Sequence, residues 1–334
     1  MDGNTTAQQK VVEVAGRPAH QRSVRRPLQN EPHADSARRG EAQANLQQIR
    51  QIETLVTAVY ADLRRHLGTQ ELTTAAVQAI QTTDVRLQQA RGIYLELAGQ
   101  GFALKDVVEQ REALEGQVQY GMNPDFDPRN IVGDNYANPN ERGYGNAELE
   151  GPDAGHGTHV AGIVAAMRNG SGVDGVAPAV RIMTLRTVPD GDERDKDVAN
   201  AIRYAVDNGA RVVNMSFGKS HSPQKSVVDE AVRYAESKNV LLVHAAGNDG
   251  EDLNQAGNFP NQDYAAGGRA SNWIEVGASS WHGESLAADF TNYGRGRVDV
   301  FAPGVSILST VPDAGYGRND GTSMAAPVVT GIAA

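Results

Sequence analysis

The sequence has no cysteine, no long apolar run and no excess of positive charge, and each absence excludes a class of protein. With zero cysteines among 334 residues, disulfide bonds, thiolate metal sites and a cysteine nucleophile are excluded. No apolar stretch approaches the roughly 18 residues typical of a membrane-spanning helix. Residues 1–4 lack the basic start and apolar centre of a signal peptide, so we expect nothing there to direct export.

The charge balance gives a nucleic-acid partner no support. The chain has 31 Lys and Arg against 41 Asp and Glu, a formal charge of −10. A protein that binds nucleic acid needs a basic face to neutralise phosphates. The length is ample for a buried core and, as a prior, for two domain-sized units.

The hydrophobic pattern of the first 123 residues differs from that of the rest of the chain. Residues 1–40 carry a short basic cluster and few large apolar side chains, which predicts a disordered or out-of-context tail. Residues 41–123 show helical spacing and predict a small helical insertion module. The apolar positions of its first helix are Leu46, Ile49, Ile52, Leu55, Val59 and Leu63. Further helices are predicted at Thr74–Ile80, Asp84–Leu97 and Leu104–Tyr120.

Residues 124–334 have the pattern of an α/β domain, beginning with a polar linker at Pro124–Gly151. Buried strands are predicted at Val180–Leu185, Arg211–Met215, Val240–Val243, Trp273–Val276 and Val298–Phe301. Helices are predicted at Gly157–Met167, Asp195–Asp207 and Gln224–Ser237. Such alternation favours a mostly parallel sheet with helices on both sides, in which the working residues follow the carboxyl ends of the strands.

Three short segments in this domain place polar or reactive side chains beside glycine. They are Gly155–Gly162 around His156, Ala245–Asn248, and Gly321–Pro327 around Ser323. Ser323 opens an apolar helix, where the helix dipole favours negative charge, and we expect Pro327 to be tolerated in the first turn. A serine hydroxyl needs a base to remove its proton, and a histidine is the natural base near neutral pH.

Together these segments resemble the histidine, oxyanion and serine motifs of the subtilisin-like serine peptidases, the subtilases. The resemblance runs from about Ile131 to Ala334 and implies a subtilisin-like three-layer fold. It implies Ser323 as the nucleophile and His156 as the general base and then acid. It also implies that the Asn248 amide and the Ser323 backbone amide donate to the oxyanion.

The resemblance extends to the residues that bind substrate. Ser216, Phe217 and Gly218 resemble the family's edge strand, which pairs with an extended peptide. Ala245–Gly247 resembles one wall of the pocket for the side chain before the scissile bond. We expect Gly218 and Gly247 to leave room there for a large apolar side chain. The partners implied are protein or peptide substrates, with no nucleic acid and no membrane span.

Several residues also have a plainer interpretation. Taken singly, Ser323 would be a helix cap, His156 a surface residue and Asn248 a turn residue, but their joint occurrence favours catalysis. We expect His159 to pack and not to catalyse. His156 and His159 lie three residues apart without the glutamate of a zinc peptidase, so we predict no catalytic metal. The Gly-x-Ser-x-Gly motif of the α/β-hydrolases is absent at Ser323.

The family's aspartate, expected in Asp-Ser/Thr-Gly after the first buried strand, has no clear counterpart. The aspartates before His156 are Asp2, Asp35, Asp62, Asp84, Asp106, Asp125, Asp127, Asp134 and Asp153. Only Asp134, after Ile131–Val132, follows anything resembling a strand. We therefore expect a fragment that starts within the helical insertion and ends within the Ser323 helix, with the aspartate upstream. A replacement for the aspartate remains the alternative.

The implied chemistry needs no cofactor. Whether the protein binds a structural calcium ion is left open by the sequence. Met167–Val173 resembles the family's calcium loop, with Asn169 and the carbonyls of Met167, Ser171 and Val173 as possible ligands. A plain glycine-rich loop is the alternative.

These features give three functional hypotheses. The first is a serine endopeptidase that forms an acyl-enzyme; the second is a catalytically silent fragment or pseudo-peptidase that keeps the peptide groove. The third treats residues 41–123 as an independent helical interaction module. The resemblance implies a secreted, periplasmic or cell-surface location.

Overall fold

The computed structural model describes residues 10–15, 32–69, 71–123, 125–149, 151, 153–188, 193–281 and 285–334. These residues form two compact units, one containing residues 10–15 and 128–334, the other lying within residues 32–127. In the described part of the chain, no helix combines the length and apolar character needed to cross a membrane.

All secondary structure in the described residues of the second unit is helical, as the apolar spacing predicts. Its helices are α1 (Pro32–Leu67), α2 (Thr74–Gln78), α3 (Val85–Gly99) and α4 (Leu104–Gly116), followed by a π-helical turn at Gln117–Gly121. Thr73 and Asp84 cap α2 and α3 through their side-chain oxygens, which accept hydrogen bonds from backbone amides of the first turn.

The apolar face of α1 differs in part from the predicted one. Val59 and Leu63 pack against Val77 and Tyr94 of the neighbouring helices. Leu46 and Ile49 pack against α4, and Val56 is buried as well. Ile52 and Leu55 are exposed, because the buried positions follow a narrower stripe along this long helix than the sequence suggested.

The first unit contains a six-stranded sheet in which every neighbouring pair is parallel. Its strands are β1 (Lys10–Ala15), β2 (Arg181–Arg186), β3 (Ala210–Met215), β4 (Leu241–Ala245), β5 (Trp273–Ser279) and β6 (Val300–Pro303), in the order β2-β1-β3-β4-β5-β6. The five predicted strands are confirmed, with boundaries shifted by at most three residues. Strands β3, β4 and β5 are largely buried because helices cover both faces of the sheet, whereas β2 and β6, at its edges, are mostly half-buried or exposed.

The prediction of a disordered or out-of-context tail at residues 1–40 is wrong for strand β1. Lys10–Ala15 forms part of the sheet, between β2 and β3, and not of a tail. Helix α1 begins at Pro32, inside the predicted tail. The other residues of that tail lie outside the described part of the chain. A sheet strand thus precedes the helical unit within this chain.

Alternation along the strands creates a core on each face of the sheet. Val213 and its neighbours pack with α7 (Asp195–Asp207) and α8 (Lys225–Ser237). The adjacent Val212 points to the other face, toward α9 (Thr322–Ala333). Successive side chains of a strand point to opposite faces, so one short apolar run supplies both cores. The result is the predicted three-layer arrangement.

Helix α6 (Gly155–Ala165) packs on a hairpin that the sequence analysis missed, formed by antiparallel strands β7 (Ile307–Val311) and β8 (Gly315–Asn319). Gly162 allows this close approach, since a Cβ there would collide with the Thr310 and Ser309 hydroxyls. Those hydroxyls donate to carbonyls of α6. Ile131–Val132 is helical, in α5 (Arg129–Val132), and not strand-like.

Candidate active site

Two helix starts bring the histidine and serine motifs together. His156 is the second residue of α6 and Ser323 the second residue of α9, and both are buried. The two helices pack against each other through Val160, Ile163 and Met324. The amide of Gly155 donates to the Asp153 carboxylate at 2.9 Å, so Asp153 satisfies the start of α6.

Hydrogen bonds fix the Ala245–Asn248 segment, which follows β4, to the start of α9. Asn248 Oδ1 accepts from the Thr322 amide at 2.8 Å and from the Thr322 hydroxyl at 3.0 Å. The Gly247 amide donates to Thr322 Oγ1 at 3.2 Å. With Oδ1 turned toward α9, the Asn248 amide nitrogen has no acceptor among the described residues. It is therefore available to stabilise negative charge that forms beside Ser323.

The Ser323 hydroxyl contacts backbone and not a base. Ser323 Oγ donates to the Ser216 carbonyl at 3.3 Å, which is long for a hydroxyl hydrogen bond. Within the described ranges, no hydrogen bond joins Ser323 to His156. Catalytic hydrogen bonds are often absent or long before a substrate binds, and a weak bond leaves the hydroxyl able to rotate.

Burial sets the charge state of His156. Its ring is 3% exposed, and neither ring nitrogen has a hydrogen-bond partner in the part of the chain that the structure describes. Burial, with a smaller contribution from His159, lowers the pKa of His156 to about 3. The imidazole is therefore neutral near pH 7 and can accept a proton. A carboxylate bound to the ring would increase its basicity.

His159 is a packing residue of α6. Its ring is fully buried, and its Nε2 lies 3.0 Å from the Ile307 carbonyl and 3.1 Å from the Gly317 carbonyl. Nε2 must therefore carry the proton and donate to the β7–β8 hairpin. Burial lowers the pKa of His159 and keeps the ring neutral.

The family model described as the subtilase family matches residues 57–334 of this chain. The chain belongs to the subtilase family. It is 39% identical over 224 residues to the thermophilic serine proteinase of Bacillus sp. (strain AK1), covering 66% of this chain and 50% of that protein. It is 40% identical over 181 residues to the subtilisin Savinase of Lederbergia lenta, covering 54% of this chain and 62% of that protein.

This subtilase thus spans between half and about three fifths of the length of those two relatives. Among solved structures, sphericase aligns at 31% identity with a TM-score of 0.49, covering 58% of this chain and 66% of that one.

Asp134 does not contact His156 in the structure. The prediction that Asp134 could be the catalytic aspartate is therefore wrong. The fully buried Asp134 carboxylate bonds to Lys196 Nζ at 2.6 Å and to Arg129 Nη1 at 2.9 Å. Lys196 also binds Glu141, and although burial lowers the Lys196 pKa, the hydrogen bonds to both acids raise it overall. These contacts fasten the coil before α6 to helix α7.

The first strand of the sheet also lacks the family's aspartate motif. After Ala15, the last residue of β1, the sequence continues Gly16-Arg17-Pro18, which contains no aspartate. The described part of this subtilase accordingly shows no carboxylate bonded to His156.

The predicted substrate-binding residues lie at and just beyond the carboxyl ends of β3 and β4, and the expectation about their two glycines is wrong. Phe217 is buried, with its ring edge against His244, and the Ser216 hydroxyl is buried against α9. A Cβ on Gly218 would collide with the Asn258 amide, and one on Gly247 with the Asn292 amide. The glycines therefore make room for the protein's own amides and not for a large apolar side chain.

Those two asparagines support the predicted pocket and were not predicted from the sequence. Asn258 Nδ2 donates to the Ala245 carbonyl at 3.0 Å, and Asn292 Nδ2 donates to the Ala246 carbonyl at 2.9 Å. Both bonds act on Ala245–Ala246, in one wall of the predicted pocket, and the two amides occupy the space beside Gly218 and Gly247. No local pattern identifies them, because each acts on a strand remote in sequence.

The loop at Met167–Val173 does not fit calcium on its own. Its single side-chain ligand candidate, Asn169 Oδ1, accepts from the Ser171 amide at 3.0 Å in a local turn. The neighbouring carboxylate, Asp174, pairs with Arg168 at 3.3 Å. Calcium sites in proteins usually include carboxylates, and the described residues contain no cluster of three metal-binding side chains. We assign no ion to this loop.

Proposed function

We propose that this subtilase is a serine endopeptidase that hydrolyses peptide bonds through an acyl-enzyme. Ser323 Oγ attacks the substrate carbonyl, and its proton passes to neutral His156. The resulting oxyanion accepts hydrogen bonds from the Asn248 side-chain amide and the Ser323 backbone amide. Protonated His156 then donates to the leaving amine, and water hydrolyses the ester by the same steps in reverse.

The observation that supports this proposal most directly is the bonding of Asn248 to the start of α9. Two hydrogen bonds at 2.8 and 3.0 Å hold Asn248 against Thr322, the residue before the nucleophile. They occupy the acceptor end of the amide and leave its donor end for an oxyanion. An asparagine with only a turn role would not need this contact with a helix so distant in sequence.

Extended substrates would bind along Ser216–Gly218 through their main chain, and proteins or peptides are the substrates we propose. The Asn258 and Asn292 amides fill the space beside Gly218 and Gly247 and so favour a small side chain before the scissile bond. A location outside the cytoplasm is part of the same proposal and is supported by family membership.

A second candidate, a pseudo-peptidase that binds peptides without cleaving them, has its own supporting observation. Both His156 ring nitrogens are unpartnered within the described residues, and Ser323 bonds to the Ser216 carbonyl. Loss of the aspartate alone lowers the turnover of subtilisin by about 3 × 10⁴.

Labelling with a fluorophosphonate probe decides between the two candidates. We expect the purified chain to be labelled, Ser323→Ala and His156→Ala to remain unlabelled, and His221→Ala, at an exposed histidine, to label like the wild type. Absence of labelling in a sample shown by circular dichroism to be folded would reject the endopeptidase and support the pseudo-peptidase.

A further inference from the structure

The carbonyl of Ser323 lacks its regular helical hydrogen bond. In an α-helix that carbonyl accepts from the amide four residues on, which here is Pro327, and proline has no N–H. A missing backbone N–H costs nothing in the first turn of a helix, because amides there have no helical acceptor. Pro327 is the sixth residue of α9 and lies beyond that turn. This corrects the expectation that Pro327 sits harmlessly in the first turn.

A chain of buried side chains supplies the missing donor. The Ser216 hydroxyl donates to the Ser323 carbonyl at 2.9 Å. Asn214 Nδ2 donates to Ser216 Oγ at 2.9 Å, and the Thr330 hydroxyl donates to Asn214 Oδ1 at 2.9 Å. Asn214 and Thr330 are fully buried and Ser216 is 1% exposed, so water does not compete for these groups.

The direction of this relay, Thr330–Asn214–Ser216, follows from hydrogen-bond chemistry alone. The Ser323 carbonyl can only accept, so the single proton of Ser216 must point to it. Ser216 Oγ must then accept from an N–H, which turns the Asn214 amide nitrogen toward Ser216. Asn214 Oδ1 therefore faces Thr330, whose hydroxyl must donate. Removing the Thr330 hydroxyl leaves Asn214 Oδ1 buried without a donor and releases the amide to rotate.

We propose that Thr330 is a positioning residue for Ser323, acting through Asn214 and Ser216. The relay fixes the Ser323 carbonyl, and with it the Cα that carries both the hydroxyl and the oxyanion-binding amide. The catalytic part of this inference rests on the proposed endopeptidase function, whereas the relay itself does not. Thr330 touches neither Ser323 nor a substrate, so its effect must pass through the two intermediate side chains.

A single NMR resonance tests the relay without any activity. Ser323-Met324 is the only Ser-Met pair in the sequence, so labelling serine carbonyl carbons with ¹³C and methionine with ¹⁵N gives one HNCO peak for the Ser323 carbonyl. We expect Ser216→Ala to move this peak upfield and Thr330→Val to move it in the same direction. Thr330→Ser, which keeps the hydroxyl, should leave it in place. Thr187→Val is the matched control, because the buried Thr187 hydroxyl has no partner within the described ranges.

Kinetics then test the positioning of the nucleophile. We expect Thr330→Val to slow fluorophosphonate acylation by about tenfold or more with the KM of a peptide substrate unchanged, and Thr330→Ser to restore the rate. A Ser323 carbonyl peak that stays in place in Thr330→Val would overturn the relay. Acylation of Thr330→Val at the Thr187→Val rate would overturn the positioning role. If the wild type is not acylated, the catalytic part falls with the proposed function, while the NMR peak still decides the relay.

Discussion

Burial of neutral His156 predicts that the protein loses stability in mild acid. The histidine titrates near 6.5 in the unfolded chain and near 3 in the folded protein. Between these values the unfolded state binds a proton that the folded state excludes. The contribution of His156 is therefore intact above pH 6.5 and is lost progressively as the pH falls toward 3.

The size of this loss follows from the two pKa values. Each pH unit between them costs about 1.4 kcal/mol, so by about pH 4.5 the wild type should have lost roughly 2.7 kcal/mol through this residue. His156→Gln cannot bind that proton in either state and should be spared the loss. The buried His159 remains in both proteins and cancels in the comparison.

Urea unfolding at about pH 7.5, 5.5 and 4.5 measures the effect. We compare the free energy of unfolding of each protein with its own value at about pH 7.5. We expect the wild type to lose more than His156→Gln, by a margin that grows with acidity. His221→Gln, at an exposed ring, is the matched control. If the free energies of unfolding of the wild type and His156→Gln decrease equally with acidity, the folded protein must accept a proton at His156. That result would refute the inference that burial keeps this ring neutral.

Three further changes test other contacts. Asn248→Asp keeps the acceptor for Thr322 but loses the amide donor, so thermal stability should hold while kcat falls by about 10²–10³, the magnitude known for the corresponding loss in subtilisin. Lys196→Met removes the ammonium partner of buried Asp134, which keeps Arg129, and should lower the free energy of unfolding by about 1–3 kcal/mol in urea titrations, which Asp134→Asn in the same chain should partly restore. Gly162→Ala pushes α6 against the hydroxyls of β7 and should cost about 1–3 kcal/mol by calorimetry; unchanged melting would contradict the close packing.

The sequence predicts the sheet well wherever a strand is a β-branched run buried on both faces. Arg211–Met215 and Trp273–Val276 were identified for this reason, and the structure extends them only slightly. Strand β1 was missed because its two charged residues and its basic surroundings hide the apolar run. Its place in the sheet depends on neighbours far along the chain, which no local window contains.

The motifs of the candidate site could be recognised in the sequence because each is a contiguous segment with glycine beside a polar or reactive side chain. Their supporting residues could not. Thr330 serves Ser323 through Asn214 and Ser216, and such contacts join elements separated by a hundred residues or more. The wrong expectation about Pro327 has a related cause, since its effect depends on where α9 begins, and helix boundaries are the least certain part of a sequence-based prediction.

The central position of β1 has a consequence for the order in which the chain can assemble. Lys10 pairs with Arg181 on one side and with Ala210 on the other, so β1 must wait during synthesis until both later strands exist. The helical unit, whose contacts are local, emerges in between and can condense first. Among the strands that the structure describes, β2 has no hydrogen-bonded neighbour until β1 inserts. This last, long-range insertion is the step at which folding should be slowest and the half-formed sheet most exposed to aggregation.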